Sequence, residues 1–112
     1  LAAAVIDSAI RDLRDPMPAC TGGTEHWKVS RVREWRQNRL QAARWLSSRA
    51  ATLFLEALGL DQEAVLEKIK WTRYAREVLA EHRSGAYRLP TAVVRHLQAG
   101  IRSLEGDVEA AA

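Results

Sequence analysis

Cysteine is almost absent from this chain. Cys20 stands alone, which excludes an internal disulfide and gives secretion no support. In its Pro- and Gly-flanked surroundings it reads as an incidental loop residue. Proline and glycine are scarce as well, three and six in 112 residues, so few points interrupt regular structure. No apolar run approaches the ~20 residues that a membrane span needs. The opening Leu-Ala-Ala-Ala-Val-Ile meets Asp7 too soon for a signal peptide, and a cytoplasmic location with no membrane partner is the expectation. Val, Ile and Thr nowhere alternate with polar residues over a strand's length. His26, His82 and His96 lack a second ligand at i+3 or i+4, and Cys20 lacks a partner cysteine, so no metal site is expected. A glycine-rich phosphate loop and a Ser/His/Asp arrangement are missing too, which argues against an enzyme and against a cofactor.

What the chain does have is helix-forming sequence. Hydrophobic residues make up 47% and charged residues 28%, an ordinary globular balance. The pattern predicts an all-α fold: a compact bundle of about five helices in a single domain, residues 1–112. A first helix spans 4–14, carried by Val5, Ile6, Ala9, Ile10 and Leu13, and stops at Asp15-Pro16. Residues 15–24 form a loop. The helical core runs over 25–83. Its first part, to about Ser47, is one long helix or two with a restart at Ser30. Ser47-Ser48 cap a short helix that closes on Gly59, and Asp61 caps the next, expected to continue unbroken to His82 or Arg83. Leu60 and Val65 have the spacing of a hydrophobic staple. Pro90 opens a last helix over 90–105. Trp35, Leu46, Phe54, Leu58, Val65 and Ile69 are the expected core.

Charge is unevenly spread, and this is the main functional signal. The net charge is +3, but residues 24–51 alone carry seven basic side chains against Glu25 and Glu34. Such a block attracts phosphates or an acidic protein surface. Arg31, Arg33, Arg36, Arg39, Arg44 and Arg49 are the candidate nucleic-acid contacts, with Trp27, Trp35 and Trp45 interleaved. The plainer reading is a solvated arginine face over a tryptophan-anchored core. Trp35 falls on the inward stripe, whereas Trp27 and Trp71 are expected to be exposed. Lys68, Lys70, Trp71, Arg73, Tyr74 and Arg76 form a second basic cluster, a candidate partner-binding patch or a packed helix surface. The Gly59-Leu60-Asp61 junction fits a helix-turn-helix-like hairpin, although Asp61, Glu63 and Glu67 place acid where a reader helix meets DNA. Val94, Leu97, Ile101 and Leu104 make a narrow seam suited to one partner helix, and so to a homo-oligomer.

Residues 43–65, from Ala43-Arg44-Trp45-Leu46-Ser47 to Phe54-Leu55-Glu56-Ala57-Leu58-Gly59-Leu60-Asp61 and on to Val65, carry a recognisable order of short motifs. An alanine, a Trp-Leu pair, a serine, an apolar helix ending in Gly-Leu-Asp and a following valine resemble small helical proteins encoded by phages and prophages. Val5 … Ala9-Ile10-Arg11-Asp12-Leu13 is similar to their opening helix, so the likeness covers residues 5–70. Ser48-Arg49-Ala50-Ala51 stand where that pattern has aspartate and phenylalanine. The resemblance implies a mobile-element context and no residue-level activity. The combined expectation is a non-enzymatic, nucleic-acid-binding or transcription-associated regulatory protein acting on DNA, in which loss of Arg36 and Arg39 weakens binding. The alternatives are a packaging oligomer resembling a terminase small subunit, and a module that docks on a host enzyme such as RNA polymerase.

Overall fold

The computed structural model describes residues 1–18, 25–85 and 88–106, and of residues 25–27 the backbone alone. Cys20 and the side chains of His26 and Trp27 therefore lie outside the described residues. Within them the chain forms six helices and no strand: α1 Ala2–Arg14, α2 Glu25–Leu46, α3 Arg49–Ala57, α4 Gln62–Lys68, α5 Trp71–Arg83 and α6 Thr91–Glu105.

α1 buries Ile6 and Leu13, and Ala9 and Ile10 pack beside them. It ends at Asp15 in an extended conformation (φ −58°, ψ 135°), as the ring of Pro16 requires of the residue before it. α2 is one helix of 22 residues, about 33 Å long, with no restart at Ser30. It is the spine of the molecule and touches α1, α3, α5 and α6. Ala42 and Ala43 are both buried on it, and their small side chains let the neighbouring helices approach its axis.

Local capping chemistry fixes the next boundaries. Ser48 Oγ accepts the Ala51 N–H at 3.3 Å and donates to the Trp45 carbonyl at 2.6 Å, so one hydroxyl ends α2 and starts α3. At the far end of α3, Gly59 has φ +72°. Its N–H reaches the Glu56 carbonyl, and the Leu60 N–H reaches Leu55, both at 2.9 Å. This is a Schellman stop, and glycine takes its left-handed position without a Cβ clash. Asp61 then accepts from the Ala64 N–H at 3.1 Å and caps α4. Leu60, the expected staple residue, is 45% exposed. Gln62 spans this junction instead. Its amide nitrogen donates to the carbonyls of Leu46 and Ser48, each at 3.0 Å, and its oxygen accepts from Thr52 at 2.7 Å.

The helix expected to run unbroken from Asp61 is broken at Lys70, which sits at φ +63°, ψ 40°. A continuous helix that buries Leu66 and Ile69 would next turn Arg73 inward. The left-handed residue resets the phase, so that Trp71, Ala75, Val78 and Leu79 face the core instead. That single break makes six helices of the expected five.

The core lies between α2, α5 and α6, with Leu13 contributed by α1. Of the expected core residues, Leu46 and Ile69 are buried, Trp35, Phe54 and Val65 are half-buried, and Leu58 is 41% exposed. Leu58 misses the core because it is the C-cap of α3, where the chain already turns away.

Candidate functional site

The six candidate arginines, five on α2 and Arg49 at the start of α3, divide into two populations. Arg39 is only 5% exposed. Its guanidinium donates to Glu77 Oε2 at 2.6 Å and to Glu81 Oε1 at 3.2 Å, and lies 5.0 Å from the centre of the Trp35 ring. Arg36 Nε donates to the other oxygen of Glu81 at 3.0 Å. Glu77 and Glu81, one turn apart on α5, thus meet Arg36 and Arg39, one turn apart on α2. A buried guanidinium requires such partners, because unpaired charge in the interior is costly. Two of the six candidate arginines therefore fasten α2 to α5.

The others lie towards solvent: Arg31, Arg33, Arg44 and Arg49 are all exposed. Arg44 lines a cleft of about 550 Å³ between the end of α2 and the start of α6. Gln41, Trp45 and Ser48 form one side, and Ala92, Val93 and His96 the other. His96 Nε2 lies 2.8 Å from Ser47 Oγ, a hydrogen bond that ties α6 to the end of α2. Trp45 is half-buried and meets Phe54 edge-on, with ring centres 5.6 Å apart. Further along α2, Lys28, Arg33 and Arg36 flank a smaller groove of about 440 Å³ over Val29, Val32 and Leu40. Among the described residues neither hollow is lined by a carboxylate.

The second cluster does not form one patch. Trp71, expected at the surface, is fully buried, and its indole N–H donates to the Ala43 carbonyl at 2.9 Å. That carbonyl lies in the last turn of α2 and also accepts from Ser47 Oγ at 3.1 Å, so the buried indole N–H is satisfied by a helix-end acceptor that serves two donors. The phase reset at Lys70 is what carries the ring inward. Arg73 is paired with Glu77 at 3.5 Å and lies 5.5 Å from the centre of the half-buried Tyr74 ring. Arg76 pairs with Glu105 of α6. Lys68 and Lys70 are exposed, the first at the end of α4 and the second at the helix break itself.

The α6 seam is likewise used inside the molecule. Leu97 is fully buried, and Val94, Ile101 and Leu104 pack against the same core. The partner helices of the seam are α5 and α2 of its own chain, which removes the reason for reading it as an oligomer surface. His82 is half-buried and accepts the Leu89 N–H on Nδ1 at 3.1 Å, tying the end of α5 to the approach to α6.

Two residues that sequence reasoning passed over prove to be structural keys. Gln62 was legible only as part of a motif. Gly100 offered a signal, a lone glycine within a helical pattern, which marks close approach. A Cβ there would lie 2.5 Å from Cη2 of Trp71.

Among the described residues no group of three or more His, Cys, Asp or Glu is placed to hold a metal, and no helix is long and apolar enough to cross a membrane. Comparison with protein-family models, curated proteins and solved structures finds no match to this chain.

Proposed function

We propose that this is a non-enzymatic nucleic-acid-binding protein whose phosphate contacts are made by Arg33, Arg44 and Arg49. One observation carries the reading: α2 presents two hollows, each bordered by an exposed arginine and, among the described residues, lined by no carboxylate. The chain has 14 acidic residues, and Glu77 and Glu81 are committed to Arg36 and Arg39 on the α5 side. With cations and, among the described residues, no carboxylate along them, these hollows suit a polyanion. The phage-type motif order of residues 43–65 agrees with a role in regulating or handling DNA.

The pairing of Arg36 and Arg39 changes the test. Their removal weakens the fold whether or not nucleic acid binds, so it discriminates nothing. The informative variant is Arg33→Ala/Arg44→Ala/Arg49→Ala. It should keep the fold, weaken duplex binding, and reduce the slope of log K against log salt by about 0.9 for each phosphate that is no longer neutralised. An unchanged slope and affinity would remove the proposal.

A second reading has one observation in its favour. Val29 is 53% exposed in the basic groove of α2, where an acidic amphipathic helix of a DNA-associated host protein such as RNA polymerase would find both apolar and cationic contacts. Pull-down with and without nuclease separates the two. A partner retained after nuclease favours protein docking, and one released with the nucleic acid favours the first reading.

A further inference from the structure

The α2–α6 cleft has a composition that phosphate binding alone does not require. It places a tryptophan, not only cations, in an open basic hollow. Trp45 is half-buried, with Phe54 edge-on against it, and it lines the cleft alongside Gln41 and Arg44. His96 borders the other side, held by its hydrogen bond to Ser47. The volume, about 550 Å³, is in the range of small-molecule sites and leaves room for a planar group the size of a base. Arg49 is exposed and follows the cleft-lining Ser48 in the chain, although it is not itself part of the lining. An aromatic wall, an amide that both donates and accepts, and flanking arginines match a nucleobase with its adjoining phosphates.

We infer that the cleft holds one unpaired base stacked against Trp45, with Arg44 and Arg49 on the flanking phosphates, and that the protein prefers single-stranded nucleic acid. The inference rests on the nucleic-acid reading and narrows it. In a duplex both faces of a base are covered by its neighbours, so a stacking wall gains nothing from it. An unpaired base offers its face at little cost. Gln41 can meet the edge of any base, so the preference is for strandedness rather than sequence.

Anisotropy titrations of the full chain with labelled 12-nucleotide single-stranded DNA, its RNA counterpart and the matching DNA duplex test this. Both single strands should bind about tenfold or more tightly than the duplex. A tighter RNA arm would mean that the 2′-hydroxyl is also read. Trp45→Leu should lower single-strand affinity about tenfold and leave duplex affinity unchanged, and His96→Ala should shift the two forms in the same unequal way. A 2-aminopurine base in the strand should change its emission on binding the unmutated protein, a readout that stands even if Trp45→Leu fails to fold. Equal affinity for duplex and single strand, or equal losses on both in the variants, overturns the inference and leaves the phosphate-binding reading intact. Binding of neither form overturns both.

Discussion

Trp71 and Gly100 show how one buried side chain can govern the residues around it. The indole fills the space between α2 and α6, and α6 comes close enough only because position 100 lacks a Cβ. Gly100→Ala should therefore destabilise the protein, although alanine is the better helix former by about 1 kcal/mol. Overpacking a fixed core ring costs about 1–3 kcal/mol, so a net loss of about 1 kcal/mol is expected as a lower urea midpoint. A raised midpoint would mean that α6 moves off the ring freely. Lys70 gives the opposite case. It holds φ +63° where a Cβ is disfavoured by about 1–2 kcal/mol, a strain that glycine does not have. Lys70→Gly should raise the stability by up to about 1 kcal/mol, and Lys70→Ala should not. The same rise in both would assign the gain to lost charge rather than to backbone.

Between elements, the tie of consequence joins α2 to α5. Arg39 is enclosed, Glu81 is mostly covered and Glu77 is 44% exposed. Glu77→Gln with Glu81→Gln should cost about 2–4 kcal/mol by chemical denaturation, somewhat less than a fully buried pair because Glu77 keeps part of its hydration. Arg33→Ala, on an exposed position, should stay within about 0.5 kcal/mol of the parent. Equal costs for the two changes would show that the Arg39 pairs are no stronger than surface pairs. Helix ends are readable in the sequence wherever the signal is local: Asp15-Pro16, the Ser48 cap, Gly59 and the Asp61 cap all fall where their side-chain chemistry predicts. The break at Lys70 is not readable, because lysine carries no local preference for the left-handed region. It is held there by the burial of Trp71 and the helix it begins.

At the scale of the whole molecule, the apolar seam of α6 and the positive charge of α2 both suggest contacts with other molecules when read from sequence. The fold uses the first internally and divides the second. With Val94, Leu97, Ile101 and Leu104 packed on the core, light scattering at tens of micromolar is expected to give the mass of a monomer. A stable dimer would have to use another surface, such as the exposed Leu53, Leu58 and Leu60. The candidate site was legible in part. The sequence pointed to α2 and named Arg44, Arg49 and Trp45. It had no means of placing His96 opposite them, because the two sides of the cleft are about fifty residues apart in the chain.

The sequence by itself determined the all-helical character, most helix boundaries and the concentration of positive charge in one segment. Each of these depends on neighbours within a turn or two. The tertiary structure decided which arginines meet water and which meet carboxylates, because Glu77 and Glu81 lie 38 to 45 residues from Arg39 and Arg36. It also decided that Trp71 is core and that Trp45 borders an open cleft. Side chains of one chemical type were sorted by what packing brought beside them, and that sorting is not a local property of the chain.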